Sequence, residues 1–326
     1  MVAKVLLLHT GGTLGMVGTP LVPDAYGSRL LDAVPELLQI ADIDIDIVCN
    51  LDSSDLGPAE WGSLASTIAA CHEAYDGFVI VHGTDTMAYT AAALSYALEG
   101  LGKPIVFTGA QRPLSALRTD ARRNLVDAVE VATTSVPEVT ICFDGLLFRG
   151  CRAVKEDARS YRAFASPGMP PLAKMGIDLD ISALVRGPTR AFASHPVFDP
   201  YVDVVYLTPG IRSDTVVRRL LDPQLRGLVI AAFGVGTVPA QIRGIAEDLR
   251  VAVDGGLEVV VVTQRGGKVD LRAYKSSEGL AEAGCIPGGT MHLEAAVPKL
   301  MHALARFDDR AARHGYLLRN VAGELG

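Results

Sequence analysis

The chain has 326 residues, of which 49% are hydrophobic and 21% are charged. This composition excludes a mostly disordered chain, and at about 150 residues per domain the length favours two domains. The formal net charge of -7 disfavours nucleic acid as the main partner.

The cysteines and the lengths of the apolar runs indicate the cellular compartment in which we expect the protein. The five cysteines are scattered and none lies in a C-x-x-C pair. We therefore expect no disulfide framework, no zinc site and a cytoplasmic protein with reduced thiols. The apolar run 5–8 is too short for a signal peptide, because His9 and two glycines follow at once. No apolar run approaches the roughly 18 residues of a membrane span, so we expect no membrane partner.

The first half of the chain alternates short apolar runs with helical patterns. Strands are predicted at 2–9, near 46–49, and at 77–81, 104–108 and 139–143. Helices are predicted between them at 28–40, 58–75 and 87–101. This alternation is typical of βαβ units. It predicts an α/β fold with a larger N-terminal domain on a doubly wound, mostly parallel sheet.

Prolines crowd the stretch 166–200. We therefore predict an N-terminal domain at 1–187, a linker at 188–203 and a C-terminal domain at 204–326. Beyond the prolines, strands are predicted at 202–207, 228–233 and 257–263, and helices at 213–221, 239–254 and 293–306. This part is predicted to be a smaller α/β domain.

Polar turns follow the predicted parallel strands. They lie at 10–13, 51–55, 82–86 and 109–113 and are rich in hydroxyls and carboxylates. Ligands of open parallel sheets bind at the carboxyl ends of the strands, so we expect these turns to meet at one edge. The first turn lacks the spacing of a phosphate-binding loop, which makes a nucleotide site a weak alternative. A glycine turn capped by threonines is the structural alternative.

Thr10 and Thr84 place two hydroxyls at this edge. A threonine hydroxyl attacks a carbonyl only with the help of a base or a lowered pKa. His9 and His82 touch these turns, but buried structural imidazoles are the expected role of both. Lys155 is the other candidate base, and a solvated surface lysine is its ordinary alternative. The sequence has no G-x-S-x-G motif, which disfavours a Ser-His-Asp site.

The turn sequences resemble the bacterial L-asparaginase family. The matching motifs are T-G-G-T-L-G-M, L-D-S-S-D-L, H-G-T-D-T-M-A-Y-T, T-G-A-Q-R-P, R-G-C-R-A-V-K, A-F-A-S-P, F-G-V-G and T-Q-R-G-G-K-V. The first and third motifs place Thr10 and Thr84 74 residues apart, and this combination is highly specific. The D-S-S-D turn resembles the type I, cytoplasmic branch.

The resemblance implies hydrolysis of L-asparagine to L-aspartate and ammonia through a threonine acyl-enzyme, without a metal or a cofactor. Thr10 matches the family's nucleophile. Thr84, Asp85 and Lys155 match its second catalytic triad, in which the lysine polarises or deprotonates Thr84. The pair then shuttles protons and positions water.

The resemblance also implies a set of substrate-binding positions. They are Asp52, Ser53, Ser54, Thr84, Asp85 and Ala110. The D-S-S turn matches the family's binding site for the substrate α-carboxylate and α-ammonium groups, and Asp85 matches a contact with the ammonium group. The Ala110 backbone falls near the reacting amide, where it would stabilise the oxyanion. A small zwitterionic substrate needs groups of these kinds.

Two positions depart from the family pattern. The family has a tyrosine on the mobile loop after the nucleophile, and Tyr26 is the only tyrosine there, three residues later than expected. Leu21 is the alternative occupant of that place, so Tyr26 is kept as a catalytic candidate with helix-start packing as its alternative. Thr237 replaces a common asparagine that reaches the partner's site, which predicts a change in affinity or in Asn-versus-Gln preference.

Some type I enzymes have an effector pocket built on an arginine and a threonine. Ala231, Ala232 and Val154 occupy the corresponding places here, so we predict no activation by asparagine. The resemblance implies a homotetramer built from tight dimers. Glutamine, D-asparagine or a larger amide is the alternative substrate, and a non-catalytic binding module is the third hypothesis.

Overall fold

The computed structural model describes residues 2–17, 22–23, 30–239, 242 and 244–325. The chain divides into two compact units, Met1–Pro196 and Val197–Gly326. The division lies within the stretch 188–203.

The larger unit is built around one eight-stranded sheet. The strands of this unit are β1 (Lys4–Gly11), β2 (Met16–Val17), β3 (Val22–Pro23), β4 (Asp42–Leu51), β5 (Gly77–Val81), β6 (Leu98–Glu99), β7 (Ile105–Thr108), β8 (Val139–Phe143), β9 (Leu146–Arg149), β10 (Val154–Lys155), β11 (Phe164–Ala165), β12 (Ala173–Met175), β13 (Leu179–Ile181) and β14 (Ala193–Ser194). The sheet order is β13-β12-β9-β8-β7-β5-β1-β4. Five neighbouring strands pair in parallel, namely β8, β7, β5, β1 and β4, and the other pairings of this sheet are antiparallel. The predicted α/β fold with a mostly parallel sheet is confirmed.

Helices cover the sheet. They are α1 (Leu30–Ala33), α2 (Pro58–Cys71), α3 (Met87–Ala97) and α4 (Ala121–Ala132), with 3-10 turns at Thr13–Gly15, Pro35–Gln39, Ser53–Asp55, His72–Ala74 and Gly150–Arg152. The central strands β1 and β5 carry apolar runs, at 5–8 and 78–81, because both of their faces are buried. On one face, Leu7 and Val79 of the sheet pack with Leu125 and Val129 of α4 in one core cluster.

A tight hairpin reverses the direction of the sheet after β8. Asp144 has φ 50° and Gly145 has φ 72°, the left-handed pair that a two-residue hairpin turn requires. The Asp144 amide donates to Asn124 Oδ1 at 3.1 Å, which fixes the turn on α4. From here the antiparallel strand β9 leads the chain to Lys155.

Several predicted helix boundaries are wrong. The predicted helix 28–40 is two short pieces in its described part, since Pro35 starts a separate 3-10 turn and Val34 before it is not helical. The helices predicted at 58–75 and 87–101 end at Cys71 and Ala97. In the second case the chain turns into β6, which pairs with β14, so strand pairing overrides helix propensity.

The smaller unit has its own parallel sheet. Its strands are β15 (Val202–Tyr206), β16 (Gly227–Ala232), β17 (Glu258–Thr263) and β18 (Ile286–Pro287), in that order and all parallel. Its helices are α5 (Ser213–Leu220), α6 (Ala246–Asp254), α7 (Lys275–Glu282), α8 (Leu293–Arg306) and α9 (Arg310–Leu318). The prediction of a smaller α/β domain is confirmed, and so is the helix 293–306. Across the described ranges, no helix is both long and apolar enough to cross a membrane.

Candidate active site

The carboxyl ends of three neighbouring strands bring the polar turns together. β1, β5 and β7 lie side by side and run parallel. Thr10 lies at the end of β1, and the turns that carry Thr84 and Ala110 follow β5 and β7. These turns therefore lie together at the carboxyl ends of the strands, which is where open parallel sheets bind their ligands.

Lys155 joins two of the predicted site residues. Its Nζ donates to Thr84 Oγ1 at 2.7 Å and to Asp85 Oδ1 at 2.5 Å. The lysine side chain is 14% exposed, whereas that of Asp85 is 70% exposed. Lys155 lies on β10, where it pairs with Phe164 of β11. The structure thus brings Thr84, Asp85 and Lys155 together, although 70 residues separate Asp85 from Lys155 in the chain.

Gln111 is a member of this cluster that the sequence analysis missed. Thr84 Oγ1 donates to Gln111 Oε1 at 3.2 Å. The side-chain nitrogen Nε2 of Gln111 donates in turn to the carbonyl oxygens of Ser160 (2.9 Å) and Asp157 (3.3 Å), in the turn between β10 and β11. The only sequence signal was its place in the T-G-A-Q-R-P motif.

Thr10 lies at the end of β1 and is 2% exposed. Its hydroxyl donates to the Val81 carbonyl at 3.0 Å. The turn that follows needs glycine: Gly11 and Gly12 have φ of 111° and 92°. A Cβ at Gly11 would lie 2.2 Å from the Leu51 carbonyl oxygen, and one at Gly12 would lie 2.5 Å from the Gly83 nitrogen. The glycines therefore let the Thr10 turn approach its two neighbours closely.

The D-S-S-D turn is fixed against the Thr84 turn. Ser53 is buried, and its carbonyl accepts a hydrogen bond from Thr86 Oγ1 at 2.6 Å. Asp52 Oδ1 accepts from the Ser54 amide at 2.9 Å and from its hydroxyl at 2.8 Å. These hydrogen bonds hold the pKa of the Asp52 carboxyl below its usual value, and the bond from the backbone amide has the larger effect. The turn therefore presents a charged carboxylate at neutral pH.

The other predicted site residues are placed as follows. Ala110 is 1% exposed and directly precedes Gln111, whose backbone N–H donates to the Asp120 carboxylate. Tyr26, and Leu21 as its alternative, lie outside the described residues. Thr237 belongs to the smaller unit, where its hydroxyl donates to the Phe233 carbonyl at 3.2 Å.

His82 is a buried neutral imidazole. It is 1% exposed, and its Nδ1 lies 2.7 Å from the Gly83 carbonyl, which makes Nδ1 the protonated nitrogen. Burial lowers the pKa of His82 to about 4, and burial also lowers the pKa of His9. Both residues fit the structural role expected of them. Within the described ranges, no group of three or more His, Cys, Asp or Glu residues is arranged to hold a metal ion.

Protonation of His82 should make the protein acid-labile. The unfolded imidazole titrates at its ordinary 6.5 and the folded one at about 4, so the unfolded state binds more protons between these values. Stability is full above pH 6.5 and falls as the pH drops to 4, by about 3 kcal/mol from this group. Urea unfolding followed at both ends of this window tests it. The variant His82→Gln should show a flatter pH dependence, and an unchanged slope would contradict the assignment.

Two family models match the chain. One is described as "Asparaginase, N-terminal" and covers residues 4–184, and the other as "Glutaminase/Asparaginase C-terminal domain" and covers residues 201–317. The chain therefore belongs to the asparaginase family.

Individual relatives agree with this placement. The chain is 39% identical to L-asparaginase 1 of Escherichia coli K12, over 99% of this chain and 98% of that protein. Among solved structures, L-asparaginase I from Vibrio cholerae has a TM-score of 0.91 at 36% identity, covering all of both chains. The thermostable L-asparaginase from Thermococcus kodakarensis has a TM-score of 0.90 at 31% identity, covering 99% of each chain.

Proposed function

We propose that this protein is an asparaginase that hydrolyses L-asparagine to L-aspartate and ammonia through an acyl-enzyme on Thr10. The contact of Lys155 with both Thr84 and Asp85, at the edge where β1 ends in Thr10, carries the proposal. Named L-asparaginase relatives that match along the whole chain support the substrate.

The first half-reaction acylates Thr10. Its Oγ1 attacks the side-chain amide carbon of the substrate, and its proton passes to the amide nitrogen, which leaves as ammonia. In the second half-reaction a water molecule attacks the ester, and its proton returns to Thr10 as aspartate leaves. The Thr84 hydroxyl and Lys155 relay these protons and position the water. Neither half-reaction requires a metal or a cofactor.

The substrate is held by opposite charges and hydroxyls. The carboxylates of Asp52 and Asp85 attract its α-ammonium group. Ser53 and Ser54 contribute donors for its α-carboxylate, for which the Ser54 hydroxyl turns from Asp52 to the substrate. Asp85 is suited to this task because most of its side chain is open to solvent. The Ala110 backbone is proposed to stabilise the oxyanion, and Tyr26 to close over the substrate as part of a lid.

Oligomer, compartment and regulation remain proposals that rest on the family resemblance. We propose a cytoplasmic homodimer or homotetramer. We also propose that Thr237 alters the preference for asparagine over glutamine, and that asparagine does not activate the enzyme because Ala231, Ala232 and Val154 replace the effector-binding side chains. A sigmoidal rate curve would contradict the last point.

Ammonia release tests the proposed reaction. The wild-type protein should release ammonia from L-asparagine, and we expect lower rates with L-glutamine and D-asparagine. Thr10→Ala should abolish release, since no other group then forms the acyl-enzyme. A folded wild-type oligomer that releases ammonia from none of the three substrates would contradict the proposal. Activity on glutamine alone would move the same chemistry to another amide.

Gln111 should act as a positioning residue for Thr84. Its Oε1 accepts a hydrogen bond from the Thr84 hydroxyl, so a lone pair of that hydroxyl faces the Lys155 donor. Gln111→Met removes this acceptor at similar volume, so we expect kcat to fall about tenfold with KM nearly unchanged. Gln111→Glu keeps the acceptor and adds a negative charge near Lys155, which should shift the pH profile of kcat upward. Wild-type kcat in Gln111→Met would contradict this role.

A further inference from the structure

A small cavity borders Thr10 in the larger unit. Its lining includes Thr10, Cys49 of β4, Glu60 and Trp61 of α2, and His82. The wall is mainly apolar, and the cavity has room for about one water molecule. A larger group placed there presses on the residues that line the cavity, and Thr10, which we propose as the nucleophile, is one of them.

The pairing of β1 with β4 is irregular at Thr10. His9 faces Ile47 and Gly11 faces Leu51, so the single residue Thr10 lies opposite three residues of β4. Cys49 is the middle one of these three, and its Sγ donates to the Thr10 carbonyl oxygen at 3.4 Å. Bulges of this kind often aim side chains at functional sites. The Cys49 thiol thus forms a hydrogen bond with Thr10 at the place where the regular pairing of β1 with β4 is interrupted.

The thiol remains a donor at neutral pH. Burial and then the negative charge of Glu60 raise the pKa of the Cys49 thiol, which keeps the proton on sulfur. His82 also lines the cavity, and its Nε2 has no hydrogen-bond partner in the part of the chain that the structure describes. Cys49 is nevertheless partly exposed, and we expect a small reagent to reach it.

We propose that Cys49 is a positioning residue for Thr10, and that a group attached to its sulfur displaces Thr10 and stops the reaction. This inference rests on the proposed function, in which Thr10 is the nucleophile. A methylthio group adds two heavy atoms to a cavity that holds about one water molecule. It also removes the S–H donor that holds the Thr10 carbonyl.

Methyl methanethiosulfonate tests the second part of the proposal. The labelling is run at alkaline pH, because the raised pKa of Cys49 leaves little thiolate at neutral pH. The thiol proton goes to solvent, the Cys49 thiolate attacks the sulfenyl sulfur of the reagent, an S–S bond forms and methanesulfinate leaves. We expect the wild-type enzyme to lose at least about nine-tenths of its activity and to regain it with dithiothreitol. Cys49→Ala should resist the reagent. Cys71→Ala is the matched control, because Cys71 is the other partly exposed cysteine, and this variant should stay sensitive.

Substitutions without reagent test the positioning role. Cys49→Ala should lower kcat about threefold with little change in KM, whereas Cys49→Ser keeps a donor and should restore most of kcat. A role in packing alone predicts little rescue, since serine fills only slightly more space than alanine.

The outcomes separate this inference from the proposed function. Wild-type activity on L-asparagine is measured first, and its absence would remove the basis of both. With an active wild type, inactivation that persists in Cys49→Ala would overturn the inference. So would full activity of the methylthiolated wild type, or equal kcat in wild type, Cys49→Ala and Cys49→Ser.

Discussion

Lys155→Met is expected to lower kcat on L-asparagine about a thousandfold while the protein stays folded. The ammonium group of Lys155 contacts Thr84 Oγ1 and Asp85 Oδ1 at 2.7 and 2.5 Å. Methionine has a similar length but no proton to give, so Thr84 loses the group with which it exchanges protons. Steady-state ammonia release measures the effect.

Two further variants make this result specific. Thr84→Val should cost a similar factor, and the double variant should be no worse than the slower single one, because residues that act as one unit are not additive. Lys174→Met removes an exposed lysine on β12 and should leave kcat unchanged. Additive losses in the double variant would mean that Lys155 and Thr84 act in separate steps.

Glu324→Ala is expected to lower the free energy of unfolding by about 3–5 kcal/mol. Glu324 forms an ion pair of 2.5 Å with Lys299 of α8, and both side chains are fully buried. Lys299 Nζ also donates to the Leu317 and Arg319 carbonyls, and Glu324 accepts from the Val321 and Ala322 amides. Alanine leaves the lysine charge buried without its counter-ion. Urea unfolding at fixed protein concentration measures the loss.

The control variants separate burial of a charge from loss of any ion pair. The double variant Lys299→Met with Glu324→Leu replaces the pair by apolar side chains and should recover most of the lost stability. Glu247→Ala breaks an exposed pair of similar length, 2.6 Å to Arg250, and should have no measurable effect. A Glu324→Ala variant as stable as the wild type would show that the buried lysine is satisfied by carbonyls alone.

Much of the fold could be predicted from short-range sequence signals. β5 and β8 coincide with short, mostly apolar runs, which are typical of strands buried on both faces, and α8 follows its apolar periodicity. Helix ends were predicted less well. α3 stops at Ala97 because the next two residues pair with β14, almost a hundred residues later in the chain. Such a pairing leaves no local signal.

The candidate site shows the same division. Thr10, Thr84 and Asp85 could be predicted because each follows a predicted strand, and parallel strands put their carboxyl ends at one edge. Lys155 had no local signal that distinguished it from a surface lysine, and only the family motif selected it. Gln111 was missed because its value lies in two contacts, with Thr84 and with the turn after Lys155, that no spacing in the chain encodes.

The sequence by itself determined the family, the α/β class and the chemical groups at the sheet edge, since these depend on residue type, periodicity and motif. The tertiary structure alone decided which groups touch. It joined Lys155 to Thr84 and Asp85, and it placed the Cys49 thiol on the Thr10 carbonyl at a break in strand pairing. The physical reason is that hydrogen bonds act over about 3 Å, whereas these partners are separated by 39 to 71 residues of chain.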